Sequence, residues 1–274
     1  MSTQQEKAAA FRALHERPGV FIIPNAWDAG SAKLLASLGF EALATTSLGL
    51  ANALGKVDGT GAVSRDELLA NCAQIAQATP LPVSADLENC YAHEPRAAAR
   101  TITAAAQAGV VGGSIEDATG DPAKPIYDFT QAVERVQAAL EAARSLPFHF
   151  TLTARADGLM HARDLDDTIR RLQAFEKAGA DVLYAPGLRD LATIRAVTSA
   201  VRRPVNVVMS TADPALTTAQ LAEAGVRRIS VGGALSRLAF AAVLKAAEEM
   251  KALGGFTWVS STLPAKEVKR IFSA

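Results

Sequence analysis

The chain has few of the residues that build covalent or transition-metal sites. Its 274 residues include two cysteines, Cys72 and Cys90, and four histidines. The cysteines have no CxxC spacing, the histidines form no HxxxH or HExxH pattern, and no GxSxG pentapeptide is present. These absences argue against a zinc centre and against serine-esterase chemistry. No lysine directly follows a candidate strand, which argues against an aldolase that forms a Schiff base.

An excess of one charge and long apolar runs are also lacking. The 28 basic and 28 acidic residues give a formal net charge of zero, so no basic surface predicts nucleic-acid binding. No apolar run approaches the ~18 residues of a membrane span. The N-terminal segment is polar and helix-like rather than an apolar targeting sequence. We therefore expect a cytoplasmic protein with reduced thiols and no membrane partner.

What the chain does have is one repeated unit, in which a short β-branched run is followed by a loop and an Ala/Leu-rich helical stretch. Short apolar runs are typical of strands that are buried on both faces of a parallel sheet. The eight candidate strands are Val20–Pro24, Ala42–Thr46, Val83–Asp86, Gly112–Ile115, Phe150–Ala154, Val182–Ala185, Val205–Val208 and Ile229–Val231.

Amphipathic segments between and after these strands predict eight helices. They are Ala29–Leu38, Arg65–Ala78, Glu94–Ala108, Phe129–Arg144, Leu165–Ala178, Leu188–Ala200, Thr218–Glu223 and Ala234–Leu253. The alternation predicts an α/β fold, with residues 1–274 forming a single (β/α)8 TIM-type barrel. A doubly wound open sheet is the alternative, but no GxGxxG follows the first strand. Residues 254–274 predict a C-terminal helical extension, with a helix at Ala265–Phe272, and we expect it to pack on a neighbouring subunit.

Acidic residues collect at the predicted carboxyl ends of two adjacent strands. Asp86 and Glu88 follow the third strand, and Glu116 follows the fourth. In such barrels the carboxyl ends of the strands form the active-site mouth. Three like charges there repel unless a cation neutralises them, and oxygen ligands without histidine or cysteine favour Mg²⁺ or Mn²⁺. The alternative is that these acids cap helices or pair with surface lysine and arginine.

Other polar residues follow the remaining strands. Arg155 could hold a carboxylate in a bidentate fork, or it could form a structural ion pair with a neighbouring acid. For Asp157 a structural role is the preferred interpretation. Ser47 and Gly49 offer a hydroxyl and backbone N–H groups to a substrate carboxylate or oxyanion, unless the segment is only a tight turn. Asn206 belongs to the seventh candidate strand, and we expect it in the substrate-binding site.

Five motifs in this order, NAWDAGSAKLLASLGFEALATTSLG, VDGTG, SADLEN, GGSIEDA and TARADG, resemble the isocitrate lyase/phosphoenolpyruvate mutase superfamily. The resemblance runs from about residue 24 to residue 233, nearly the whole barrel. It implies a Mg²⁺-dependent enzyme that acts on a small carboxylate substrate, with an enolate formed as a C–C or P–C bond is made or broken. It also implies a homo-oligomer, a tetramer or dimer, in which neighbours exchange the last barrel helix.

The resemblance also implies roles for individual residues. Ser47 and the backbone of Leu48 and Gly49 would bind the substrate carboxylate. Asp58 and Arg155 would be the catalytic residues, with Asp58 close to the metal and Arg155 on the substrate. Asp86, Glu88 and Glu116 would hold the metal.

The chain departs from the superfamily pattern at two places. Many members carry a second aspartate and a glycine-rich turn where this chain has Glu88 and the turn 89–91. The isocitrate and methylisocitrate lyase branches carry a catalytic cysteine in the loop after the fourth strand, whereas here residues 117–128 read DATGDPAKPIYD. We therefore expect a lyase or decarboxylase of an oxaloacetate-like acid rather than an isocitrate-cleaving enzyme. P–C bond chemistry and a non-catalytic carboxylate-binding protein are the alternatives.

Overall fold

The computed structural model describes residues 2–162 and 164–273, and within them the predicted (β/α)8 barrel is confirmed. Eight parallel strands pair in the order β1-β8-β7-β6-β5-β4-β3-β2. A parallel bridge between Asn25 and Ala44 closes the ring between β1 and β2. The strands are β1 Phe21–Ile23, β2 Leu43–Ala44, β3 Val83–Ala85, β4 Gly112–Glu116, β5 Thr151–Arg155, β6 Val182–Tyr184, β7 Val205–Val208 and β8 Arg228–Ser230.

Helices surround the barrel on its outer face. They are α1 Gln4–Glu16, α2 Ala29–Ala36, α3 Ser47–Ala53, α4 Arg65–Ala78, α5 Pro95–Gln107, α6 Phe129–Arg144, α7 Leu165–Ala178, α8 Leu191–Ala200, α9 Thr218–Glu223, α10 Ala234–Leu253 and α11 Ala265–Phe272. Two short 3-10 helices occupy Gly158–His161 and Thr257–Ser261. The predicted bounds of α4, α6, α7, α9, α10 and α11 are confirmed. Helix α3 was not predicted, and it occupies the segment at Ser47 and Gly49 for which a tight turn was the alternative.

Local signals explain where several of these helices begin and end. The Ser64 side chain accepts a hydrogen bond from the Glu67 backbone N–H and forms a capping box at the start of α4, which satisfies otherwise unpaired donors. Gly39, Gly109 and Gly179 follow α2, α5 and α7 with φ angles of 83°, 97° and 110°. Only glycine adopts this left-handed conformation without a steric penalty, so these positions turn the chain back toward the next strand.

Helix α1 covers the amino-terminal end of the barrel. Phe11 is fully buried and belongs to a cluster with Phe21 and Ile23 of the first strand. His15 is buried too, with its ring edge-on to Phe11 and Phe21. Phe11 and His15 therefore pack α1 against the barrel at this end, and the predicted site residues lie at the opposite end.

Helix α10 and the tail behave differently from each other. Leu238, Val243 and Leu244 on α10 are between 61% and 68% exposed. By contrast, Ile271 of α11 is buried, and the Lys33 ammonium of α2 donates to the Phe272 carbonyl at 3.0 Å. The last helix therefore packs on its own barrel, whereas the apolar side chains of α10 lack cover within the described chain. No helix in the described ranges is both long and apolar enough to cross a bilayer.

Candidate active site

Arg155 is the centre of the polar cluster at the carboxyl ends of the strands. Its Nη1 donates to Asp86 Oδ1 at 3.0 Å, and its Nη2 lies 3.0 Å from Glu116 Oε2 and 3.1 Å from Asp157 Oδ2. Register explains part of this, since Glu116 on β4 pairs directly with Arg155 on β5. The guanidinium also lies over the Tyr184 ring, 4.9 Å from its centroid. The structure thus shows the ion pair that the sequence left as an alternative to a substrate-binding fork.

Ser47 binds the other side of Asp86. Its backbone N–H and hydroxyl donate to Asp86 Oδ2 at 3.2 and 3.1 Å. Ser47 is the first residue of α3, and the Thr46 side chain caps that helix by accepting from the Gly49 N–H. A carboxylate is favoured at a helix N-terminus, where free N–H groups and the helix dipole meet it. The donors predicted for a substrate carboxylate are therefore real, and in this structure they hold Asp86.

Asp58 and Glu88 extend the acidic cluster beyond Arg155. Burial raises the pKa of Asp58, the nearby Asp86 carboxylate adds to the shift, and a hydrogen bond from Ser47 opposes it. Burial raises the pKa of Glu88 to about 7, although the Tyr91 hydroxyl donates to Glu88 Oε1 at 2.7 Å and opposes the shift. Both carboxyl groups thus lie in surroundings that disfavour their charge.

The turn that carries Glu88 has an unusual backbone. Glu88, Cys90 and Tyr91 have φ angles of 49°, 57° and 56°, in the left-handed region that non-glycine residues rarely adopt. This is the position of the glycine-rich turn in the superfamily pattern. The chain thus adopts, at residues that are not glycine, a backbone conformation that is typical of glycine. The Tyr91 side chain, which a glycine would lack, reaches the Glu88 carboxylate.

The donor set fits a hard divalent cation. Three carboxyl groups pair with one guanidinium, those of Asp86, Glu116 and Asp157, and those of Asp58 and Glu88 lie within electrostatic reach of it. Burial raises the pKa of Glu116 well above its usual value, and Arg155 opposes that shift. A surplus of buried carboxylate oxygens without histidine or thiol ligands suits Mg²⁺ or Mn²⁺. In the part of the chain that the structure describes, no three acidic, histidine or cysteine side chains already enclose an ion position, and the Arg155 guanidinium lies between Asp86 and Glu116.

Three other predicted substrate residues occupy distinct places. Gly49 lies inside α3, where an added Cβ would come within 2.6 Å of Thr46 Cγ2 and 2.7 Å of Trp27 Cβ. Leu48 packs over Gly233 at the mouth. Asn206 lies deeper, is 1% exposed, and lines a cavity that also reaches Asp86 and Arg155. The structure therefore puts all three around the same barrel opening, with Asn206 below it.

Sequence reasoning missed a buried support behind Arg155. Asp117 Oδ1 accepts from the Asp157 backbone N–H at 2.7 Å, and Asp117 Oδ2 pairs with Arg171 Nη1 at 3.0 Å. Asp157 in turn pairs with Arg155. Its side chain makes no cap hydrogen bond to the 3-10 helix that follows it, so it positions the arginine and does not play the structural role preferred for it. The signal for Asp117 was its place beside Glu116. Arg171 lies in the middle of a helix and carries no local signal at all.

The loop at residues 117–128 is ordered by its own backbone. Ala118 and Ile126 form an antiparallel bridge, and the Tyr127 N–H donates to the Asp117 carbonyl at 2.9 Å. The Asn89 side chain donates to the Thr119 carbonyl at 3.0 Å. These bonds tie the loop to the turn that carries Glu88.

Neither cysteine belongs to the site chemistry. Cys72 and Cys90 are free and buried, and burial raises the pKa of each thiol to about 12. A thiol needs a lowered pKa to act as a nucleophile or acid near neutral pH. Cys90 lies in the same turn as Glu88, with its thiol fully buried. It does not replace the loop cysteine of the lyase branches.

Comparison with known proteins relates the geometry to a family. The phosphoenolpyruvate phosphomutase family model matches residues 11–251. The 2-methylisocitrate lyase of Escherichia coli is 32% identical over 251 residues, which cover 88% of this chain and 82% of that protein. The oxaloacetate decarboxylase of Pseudomonas aeruginosa is 27% identical, with 99% and 93% covered. A Burkholderia cenocepacia structure assigned provisionally as a lyase or mutase is 55% identical, with a TM-score of 0.96 and 99% and 97% covered.

Proposed function

Since the chain belongs to the phosphoenolpyruvate mutase family, within the isocitrate lyase/phosphoenolpyruvate mutase superfamily, we propose that it is a Mg²⁺-dependent carbon–carbon lyase that decarboxylates a small α-keto dicarboxylate of the oxaloacetate type. The observation that carries this proposal is the surplus of carboxyl groups around Arg155 at the barrel mouth. Similarity to oxaloacetate decarboxylase along 99% of the chain supports it. Decarboxylation also needs no acid from the loop at residues 117–128.

The chain's own residues divide the work. Asp86, Glu88 and Glu116 are the residues that would hold the metal. When bound, Mg²⁺ would supply positive charge that offsets the negative charge developing as the C–C bond breaks. The N–H and hydroxyl donors at the start of α3 are placed to bind a substrate carboxylate, because they already bind one from Asp86.

Arg155 and Asp58 complete the proposed assignment. Both guanidinium Nη atoms of Arg155 have carboxylate partners, and a substrate carboxylate would take the place of one of them. Asp58, with its raised pKa, is suited to return a proton to the product carbon, since general acids work best when their pKa lies closer to the working pH.

The test is an oxaloacetate assay with Mg²⁺ or with EDTA. Turnover with Mg²⁺, no turnover with EDTA, and at least about 100-fold less turnover in Asp86→Asn are the expected results. Asp66→Asn is the matched control, because Asp66 is a helical aspartate whose side chain is 89% exposed. Equal turnover in wild type and Asp86→Asn would contradict the proposal.

Two further candidate functions are tested by offering other small carboxylates in the same assay. The family model itself is named for a phosphomutase, and phosphate release from phosphonopyruvate would assign P–C chemistry instead. The other candidate is a non-catalytic carboxylate-binding protein, which the ion pairs of Arg155 favour because they already occupy its guanidinium. Binding of pyruvate, oxalate and oxaloacetate without turnover would assign this function.

We propose that the protein is a cytoplasmic homo-oligomer, a tetramer or dimer, and the exposed apolar face of α10 supports the oligomer. Leu238, Val243 and Leu244 would be buried only by contact with another surface, since large exposed apolar patches usually mark interfaces. The residues at 254–262 carry exposed Phe256 and Val259 and would join that contact.

A further inference from the structure

Arg228 is a buried arginine inside the barrel, below the mouth. It is the first residue of β8, pairs with Asn206 of β7, and is only 5% exposed. Its Nη2 reaches across the barrel to Thr153 Oγ1 at 3.0 Å. Thr153 precedes Arg155 by two residues on β5, so Arg228 lies one interior layer below the acidic cluster.

The partners of Arg228 are all neutral. Its Nε donates to Asn206 Oδ1 at 2.8 Å, and its Nη1 lies 3.4 Å from His15 Nε2. His15 Nδ1 lies 2.8 Å from the Phe11 carbonyl, so Nδ1 carries the hydrogen and Nε2 is the acceptor. Burial, with Arg228 second, lowers the pKa of His15 to about 3. The ring therefore supplies no charge of either sign.

Among the described residues no carboxylate contacts the Arg228 guanidinium. Burial lowers its pKa to about 10, a direction typical of a cation without a counter-ion. An ionised group buried without a partner of opposite charge is strongly disfavoured. Arg155 and Arg171 both have such partners. Arg135 is buried without one, but its guanidinium donates to three main-chain carbonyls. In the described chain, the partners of Arg228 include neither a carboxylate nor a main-chain carbonyl.

A cavity of about 70 Å³ lies against Arg228 and extends to the mouth. Hydroxyl side chains line it, among them Ser84, Ser114 and Ser230, and Asp86 and Arg155 lie at its upper end. The volume accommodates a few water molecules or one carboxylate group. It is too small for a whole four-carbon substrate, so the bound species is a small ion or one end of a larger molecule.

We propose that Arg228 and the hydroxyl side chains around it form an inner anion-binding subsite for a monoanion the size of formate or a halide. The guanidinium has N–H groups beyond the three that are already bonded, and the serine hydroxyls supply further donors. The anion provides the counter-charge that the chain itself lacks. This subsite does not rest on the proposed reaction, because it needs neither metal nor turnover.

Thermal unfolding of the metal-free protein tests the proposal. Sodium formate is titrated at constant ionic strength against sodium gluconate, whose anion exceeds the cavity. The unfolding temperature of the wild type should rise with formate and saturate. Arg228→Gln should raise the apparent dissociation constant for formate by about 10-fold or more, the size expected for losing charged hydrogen bonds. Arg227→Gln is the matched control, because Arg227 is the preceding residue, is only partly buried, and donates to main-chain carbonyls outside the cavity.

A wild type without saturable stabilisation, or an Arg228→Gln variant that responds like Arg227→Gln, would overturn the proposal. If Arg228→Gln does not fold, crystals of the wild type soaked in bromide give the answer. Anomalous density in contact with the Arg228 guanidinium is expected, and its absence would overturn the subsite.

A competition experiment identifies the source of the anion. Both competition results require that formate binds the wild type saturably. If a dicarboxylate such as malonate competes with formate whereas a monocarboxylate such as pyruvate does not, the subsite takes the second carboxylate of the substrate. If neither competes, the ligand is a free ion. Saturation that formate shows equally in Arg228→Gln overturns both assignments.

Discussion

Replacing Arg171 by methionine should destabilise the fold by about 3–5 kcal/mol, the cost expected when one partner of a buried ion pair is removed. Arg171 Nη1 lies 3.0 Å from Asp117 Oδ2, and the two side chains are 2% and 1% exposed. Burial already raises the pKa of Asp117 to about 6 with the arginine present. Without it, the buried carboxylate keeps only the Asp157 N–H, and the Tyr127 carbonyl loses its donor as well.

The neighbouring arginine provides a matched control. Arg170 pairs with Asp167 at 2.6 Å, but its side chain is 59% exposed, so Arg170→Met should cost no more than about 1 kcal/mol. Adding Asp117→Asn to Arg171→Met should restore part of the stability, because it removes the unpaired charge.

Urea denaturation at pH 7.5, followed by circular dichroism, measures the free energy of unfolding of each variant. Since Asp157 contacts Arg155, the Arg171 variant should also lose activity at temperatures where it remains folded. If the free energies of unfolding of Arg171→Met and Arg170→Met differed by less than about 1 kcal/mol, the reasoning would be refuted, because a buried carboxylate without its cation should destabilise the fold by more than that.

Three other predictions concern the site and the surface. The folded-state pKa of Glu88, about 7, lies above its usual 4.5, so the free energy of unfolding of the metal-free protein should fall as the pH rises through this window. Glu88→Gln should reduce the fall in the free energy of unfolding between pH 5 and pH 8 by roughly 2–3 kcal/mol, as urea titrations at the two pH values would show. Glu141→Gln, at an exposed position, is the control variant and should show the same fall as the wild type. Gly49→Ala should lower turnover and unfolding temperature together, because the new methyl group meets Trp27 Cβ at 2.7 Å; an unchanged unfolding temperature would contradict the clash. Leu244→Glu should shift the mass seen by light scattering toward a monomer, and an unchanged mass would remove α10 from the interface.

Much of the barrel follows from local sequence. The eight strands and the bounds of several helices agree with the prediction. For α4 and α7, capping residues and apolar periodicity agree, since the side chains of Ser64 and Asp164 both accept a hydrogen bond from the first turn. For α6 periodicity alone was enough, because its N-cap residue makes no side-chain cap hydrogen bond. Helix α3 was missed because its seven residues, SLGLANA, are too short for a period to be read and include a glycine.

The site was predictable in composition but not in pairing. The sequence placed Asp86, Glu116 and Arg155 at one mouth, and left open whether the arginine holds a substrate or the acids. The answer depends on strand register, which pairs Glu116 with Arg155. Arg228 was missed for a related reason: strands buried on both faces do not reveal which side chains point into the barrel.

The left-handed turn at residues 88–91 sets limits on how this protein can be altered. Each non-glycine residue held there costs of the order of 1–2 kcal/mol, so Tyr91→Gly, at a partly exposed position, is a change that a stability screen should favour. Cys90→Gly would instead leave a cavity, because Cys90 is fully buried. Tyr91→Gly would also remove the hydroxyl that donates to Glu88. Selection for heat resistance alone would therefore favour a change that removes a hydrogen bond from the acidic cluster.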